Sequence, residues 1–268
     1  MNIGLLIIGD EILSGKRADK HLPKVIELLA ARGLALSWAR YVGDDPERIT
    51  ADLRDALASG GLVFSCGGIG ATPDDHTRQC AAAALGVPLV LHPQARDFVI
   101  ERMKDVAREN GTTFDPDRED NRHRLNMAVF PTGAEIIPNP YNKIAGFAVR
   151  SGKGGVFFVP GFPVMAWPMI EWVLDTRFRH LHVAPSTQER SVIVFGAMEA
   201  ALTPLMEAIE HEFAGIKVFS LPSVDHPEWG RHIELGVKGD APQLAAAYAR
   251  LRAGLESEGA ALGPELVR

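Results

Sequence analysis

The sequence predicts an α/β protein: a three-layer αβα domain with a mostly parallel sheet over residues 1–180, then a small α+β domain resembling a ferredoxin-like sandwich over residues 190–268. Three observations carry this. Residues 3–8 are continuously apolar and residues 62–66 form a short apolar run, as strands buried in a parallel sheet do. Strand-like runs alternate with amphipathic segments of helical period, which calls for crossover units. Residues 181–190 then lose helical period and carry Pro185, Ser186 and Thr187, so a linker is expected there.

The elements follow in order. After residues 3–8 comes the turn Gly9-Asp10-Glu11-Ile12-Leu13-Ser14-Gly15-Lys16-Arg17, with two acids, a hydroxyl and two cations. Leu22, Val25, Ile26 and Leu29 recur at helical spacing and Gly33 ends that helix. Leu34, Leu36 and Trp38 alternate through a second strand toward Gly43-Asp44-Asp45. Pro46 opens a helix bearing Ile49, Leu53, Ala56 and Leu57. The third strand, residues 62–66, breaks into Gly67-Gly68-Ile69-Gly70-Ala71-Thr72-Pro73-Asp74-Asp75-His76, and a helix starts at Thr77. A short strand over 87–91, a helix over 93–109 and a polar excursion with a short helix over 112–124 come next. A short strand near Ile136, a hairpin over 145–159 and a helix after Pro160-Gly161-Phe162-Pro163 complete the large domain. The small domain reads as β-α-β-β-α: strands at 191–195, 216–221 and 232–237, and helices at 198–213, with Pro204 as a kink point, and 242–255.

Composition bounds the function. At 46% hydrophobic and 23% charged residues the chain is an ordinary globular protein, and its net charge of −6 argues against a general nucleic-acid binder. Cys66 and Cys80 make neither a metal-ligand set nor a disulfide scaffold, which fits a reducing cytoplasm. The first apolar run meets Asp10 and Glu11 at once, and no stretch approaches the roughly 20 apolar residues of a membrane helix. A cytoplasmic protein without a membrane partner is expected.

Chemistry concentrates at residues 67–77. Glycines admit close backbone approach and positive φ, and successive N–H groups beside a helix start form an anion nest. The stretch has no Gly-Lys-Ser/Thr ending of a P-loop, and Pro73 stands where a dinucleotide fingerprint needs glycine or alanine. Asp74 and Asp75 beside a phosphate call for a cation, so a divalent metal (Mg, Mn or Co) is expected on Asp44, Asp74 and Asp75. The plainer alternative is that Asp75 caps the following helix. In open parallel sheets ligands sit outside the carboxyl ends of the strands, where all three acidic pairs fall. Three other groups read as structural: the cations Arg118, Arg122, His123 and Arg124 as a solvated face, the loop over 225–231 as a strand connection, and His180 with His182 as a pair without acidic or cysteine partners.

These motifs resemble the molybdopterin-binding domain of the MoaB/Mog family, in the form found in CinA, the competence/damage-inducible protein A. The resemblance rests on Gly9-Asp10-Glu11, on Gly43-Asp44-Asp45, on Gly-Gly-x-Gly-x-Thr-x-Asp-Asp-x-Thr at 67–77, on residues 139–146 and on the Pro-Gly-x-Pro turn at 160–163. It covers about residues 1–175 and, more weakly, the small domain. It implies a site for a pterin or nucleotide phosphate, with molybdopterin as one ligand and a homo-oligomer, dimer or trimer, as the assembly. It places Gly67, Gly68, Gly70, Thr72, Ser14 and Thr77 at the phosphate or pterin, and Asp75 and Asp44 as the acids of the chemistry. Cys66, Ala71, the stretch 16–19, Asn142, Ile144, Ala145 and Met165 depart from the family pattern. The nicotinamide-nucleotide deamidase domain that ends many CinA proteins has no room in 268 residues, so that activity is expected to be absent.

Three functions fit. The first is metal-dependent hydrolysis of a pyrophosphate in a dinucleotide such as ADP-ribose. The second is binding or adenylylation of molybdopterin in molybdenum-cofactor assembly. The third is a non-catalytic binding module.

Overall fold

The computed structural model describes residues 1–183 and 187–268; residues 184–186, within the stretch expected as a linker, lie outside them. The chain divides into two compact units, Met1–His182 and Val183–Arg268. In the first, β1 (Ile3–Ile8), the one-turn α1 (Asp10–Leu13) and α2 (His21–Ala30) precede β2 (Trp38–Val42), α3 (Pro46–Ala58), β3 (Leu62–Cys66) and α4 (Thr77–Leu85). Then come β4 (Leu89–Leu91), α5 (Pro93–Glu109), α6 (Glu119–Arg124), β5 (Val129–Pro131), β6 (Glu135–Ile137), β7 (Gly146–Ser151), β8 (Gly154–Val159) and α7 (Pro163–Arg177). The second unit holds β9 (Thr187–Phe195), α8 (Glu199–Glu212), β10 (Lys217–His226), β11 (Gly230–Asp240), α9 (Ala241–Ser257) and β12 (Ala261–Val267).

The main sheet has the order β2-β1-β3-β8-β7-β6. Pairs β1–β2, β1–β3 and β3–β8 are parallel, whereas β8–β7 and β7–β6 are antiparallel. The carboxyl ends of five strands, β1, β2, β3, β6 and β8, therefore share one edge, and the loop 138–145 between β6 and β7 lies at it. Side chains alternate between two cores. Leu6, Ile8, Val63, Val156 and Phe158 pack against α3, α4 and α5, while Leu5, Ile7, Phe64, Phe157 and Val159 pack against α2 and α7. Both faces are covered, so the strands read as unbroken apolar runs. The first core is centred on fully buried Phe147, stacked on Phe158 at 4.3 Å and on Phe130 at 4.7 Å between ring centroids. Asp45 caps α3, accepting from Glu47 N at 2.9 Å. Asp52 of α3, 2% exposed, accepts from Arg40 Nη1 at 2.7 Å and Arg48 Nε at 2.9 Å.

The expected fold class stands, with local differences. β2 starts at Trp38 rather than near Leu34, because Leu34 N turns back to Leu29 O at 2.9 Å and closes the end of α2. Leu34 and Leu36 still pack on the second core as partly buried side chains. β4 does not join the main sheet; it pairs antiparallel with β5.

In the second unit all strand pairs are antiparallel, in the order β10-β11-β9-β12. With α8 and α9 this is the expected ferredoxin-like sandwich, extended by β12. Gly263 and Pro264 hide that strand in the sequence, and its register on β9 shifts between Leu262 and Glu265. The loop over 225–231 is the expected strand connection, but the strands on either side are longer than expected, β10 continuing to His226 and β11 starting at Gly230. α8 runs through Pro204 as one helix. On the outer strand β10, Val218 N donates to Glu210 Oε1 at 2.9 Å, Lys217 Nζ lies 3.0 Å from Glu210 Oε2, and Pro222 sits mid-strand.

Candidate functional site

A cleft of about 590 Å³ lies at the carboxyl edge of the first unit's sheet. It is lined by residues 67–72 with Asp74 and Asp75 after β3, by Glu11 and Arg17 after β1, and by Asp44 after β2. Asn142, Ile144 and Ala145 before β7 and residues 160–162 after β8 complete it, with Met127 and Met165 as apolar walls.

The glycine turn is built from behind. Gly67 and Gly68 have φ of 109° and 67°, and a Cβ at either would strike Ile8 O or Thr77 Oγ1 respectively. Thr77, fully buried, donates from Oγ1 to Gly67 O at 3.1 Å and from N to Gly68 O at 3.0 Å. Gly67 N is spent on Val159 O at 3.0 Å. Among the described residues the N–H groups of Gly68, Ile69, Gly70 and Ala71 have no acceptor. Arg78, 4% exposed, holds the back of the turn by donating to Gly70 O at 2.5 Å and to Asn126 O. Burial pushes its guanidinium pKa down, against the opposing pull of the Asp75 charge. Sequence reasoning missed this residue, because a lone arginine in a helical start carries no mark of burial.

Asp75 closes the turn. Its Oδ2 accepts from Thr72 N at 2.9 Å and Thr72 Oγ1 at 2.6 Å, and a Cβ on Gly70 would come within 2.5 Å of that oxygen. The alternative in which Asp75 caps α4 is not what forms: the N-cap residue is His76, with no side-chain cap bond. On the neighbouring turns Asp10 N donates to Asp44 Oδ2 at 3.0 Å and Asp44 N to Asp10 Oδ1 at 3.1 Å, a reciprocal clasp between the ends of β1 and β2. The Asp44 carboxyl is held above the usual carboxylate range. Burial is the main cause, the bond from Asp10 N opposes it, and the charges of Asp10, Glu11 and Asp74 add to it.

The structure thus brings Gly67, Gly68, Gly70, Thr72, Asp44, Asp74 and Asp75 to one cleft. Ser14 and Thr77 do not line it: Ser14 Oγ bonds Asp10 O at 2.7 Å, and Thr77 lies behind the turn. Asp44, Asp74 and Asp75 share the cleft, but among the described residues no three His, Cys, Asp or Glu side chains are grouped to hold a metal ion. The reason is local: Asp75 is committed to Thr72 and Asp44 to Asp10 N. Cys66 and Cys80 are buried free thiols whose pKa burial pushes up. No helix among the described residues is long and apolar enough to cross a membrane.

Residues 4–180 match the family described as "probable molybdopterin binding domain". The chain belongs to this family. Its relatives include CinA-like proteins of Anaeromyxobacter dehalogenans (strain 2CP-C) and Citrifermentans bemidjiense. Each is 33% identical over 253 residues, which is 94% of this chain and 58% of the relative. The chain therefore spans a little over half the length of the curated relatives it matches. Among solved structures, CinA of Thermoplasma acidophilum, a protein described as having unknown function, is 25% identical with a TM-score of 0.56. That likeness covers 65% of this chain and 98% of the other. The matched span contains every residue that lines the cleft.

Proposed function

We propose that the cleft binds a phosphorylated pterin or nucleotide, with a phosphate seated on the turn 67–72. The observation that carries this is the row of four N–H groups without acceptors, in a turn whose glycines leave no room for a Cβ. A cradle of this kind suits a phosphate oxygen, because backbone donors neutralise its charge without a flexible side chain. Gly68→Val would drive its side chain into Thr77 behind the turn and displace the N–H groups that form the cradle. In calorimetric titration with AMP or molybdopterin the wild type should bind and a folded Gly68→Val should not; equal affinities would overturn the assignment.

Cleavage of a pyrophosphate in an ADP-ribose-like substrate is the chemistry favoured by one further observation, the raised pKa of Asp44. A carboxylate of raised basicity beside a bound phosphate takes the proton of an attacking water more readily. The turn's N–H groups meanwhile stabilise the charge that builds on the phosphate oxygens. A divalent ion, when bound, would polarise the phosphate, and Asp44, Asp74 and Asp75 are the carboxylates within the cleft to hold it. Among the described residues they do not form a three-ligand set as folded. AMP release from ADP-ribose, with Mg²⁺, Mn²⁺, Co²⁺ or chelator, tests this. Asp44→Asn should abolish release while retaining AMP binding. Asp75→Asn should impair both, because Asp75 shapes the turn. No release by the folded wild type would leave binding or adenylylation of molybdopterin, which pyrophosphate release from ATP distinguishes.

A further inference from the structure

We propose that Arg17 makes the cleft select a diphosphate ester over a monophosphate, taking the second phosphate while the first sits on the glycine turn. This rests on the phosphate-binding reading of the turn above. The charge distribution sets the problem. The described residues lining the cleft include four acids, Glu11, Asp44, Asp74 and Asp75, and one cation, Arg17. Backbone donors of the turn can neutralise one phosphate. A second phosphate on the same surface meets the four carboxylates of the lining unless a cation receives it.

Arg17 is placed for this, held by a long ion pair with Glu11 and by the Phe162 ring. Its guanidinium carbon lies 5.6 Å from the centroid of the Phe162 ring, and its Nη1 is 3.6 Å from Glu11 Oε1, beyond hydrogen-bond reach. Among the described residues none of its guanidinium N–H groups has a hydrogen-bond acceptor. Its backbone is nevertheless fixed, since Arg17 N donates to Glu11 O at 2.9 Å. The backbone that carries the ring beneath it is fixed too. Phe162 O accepts from Met165 N at 3.0 Å and Ala166 N at 2.9 Å, and the preceding Gly161 O bonds His21 Nε2 at 3.0 Å. Phe162 stays 55% exposed in spite of this anchoring, so its ring serves as a platform rather than as core. A guanidinium held over a ring with its donors free presents the planar fork that matches two phosphate oxygens. Glu11 is the weaker partner that a phosphate would replace.

The test is calorimetric titration of ADP, AMP and adenosine, with chelator present, against the wild type, Arg17→Ala, Arg17→Lys and Phe162→Ala. The wild type should bind ADP at least tenfold more tightly than AMP. Arg17→Ala should reduce that preference to within twofold, weakening ADP far more than AMP. Arg17→Lys should recover part of it, having the charge without the fork, and Phe162→Ala should weaken ADP alone. Equal ADP and AMP affinities in the wild type, or equal losses of both in Arg17→Ala, would overturn the role of Arg17 and leave the phosphate cradle standing. A folded wild type that binds neither nucleotide, indistinguishable from Gly68→Val, would instead remove the nucleotide-phosphate reading and this inference with it.

Discussion

Replacing Gly68 by alanine measures how tightly the phosphate turn is bound to the helix behind it. The residue holds φ of 67°, which costs an L-residue about 1–2 kcal/mol. The new methyl would also strike Thr77 Oγ1, forcing the hydroxyl away from Gly67 O, its partner at 3.1 Å in a fully buried position. Breaking such a bond and leaving a buried carbonyl unsatisfied adds about 1–2 kcal/mol, for a total near 2–4 kcal/mol. The two contributions separate in a double-mutant cycle. In a Thr77→Ala background the hydroxyl is gone and only the Cβ of residue 77 remains, at 3.2 Å, so Gly68→Ala should cost little more than the backbone part, with a coupling of about 1–2 kcal/mol between the sites. Urea unfolding followed by circular dichroism and tryptophan fluorescence gives the four stabilities. A cost for Gly68→Ala that is the same in both backgrounds would refute the argument that Thr77 sets the turn.

Asp44 predicts a pH effect. Its carboxyl binds protons more tightly folded than unfolded, so above the unfolded value of about 3.9 native stability falls as pH rises through the folded one. Asp44→Asn, whose amide oxygen can still accept from Asp10 N, should therefore raise the unfolding midpoint at pH 7 and match the wild type near pH 3; a lower midpoint at pH 7 would contradict this. Phe147→Ala removes the middle ring of a fully buried triple stack and should cost about 3–5 kcal/mol in urea unfolding, whereas a loss under 1 kcal/mol would mean the stack collapses without penalty. Asp52→Ala strands Arg40 and Arg48, but both keep access to water at 44% and 63% side-chain exposure. Its cost should stay near 1–3 kcal/mol, below that of a fully buried pair, and should be partly recovered by also truncating Arg48.

The first unit was legible because its strands carry two cores. A strand covered on both faces must be apolar throughout, so β1, β3 and β8 announce themselves, and the helix between each pair follows from its own period. What hid was whatever depends on a partner distant in sequence. Nothing in residues 87–91 says that they pair with β5 rather than with the main sheet. β12 was hidden by Gly263 and Pro264, whose strand-breaking character a neighbouring strand overrides with a shift of register. The site divides in the same way. The glycines and acids of the cleft are visible as types, but their orientation is not: Thr77 reads as a ligand-facing hydroxyl and faces the turn's own carbonyl. Arg78 and Met127 gave no signal, since their positions are set by the fold around them.

The outer strand of the second unit has a consequence for how this protein behaves at high concentration. An exposed sheet edge recruits other strands through its free N–H and C=O groups. On β10 one such N–H is consumed by the carboxylate of Glu210, and Pro222 has none to offer. A stray chain approaching that margin finds two of its donor positions closed, which disfavours continuous strand addition there.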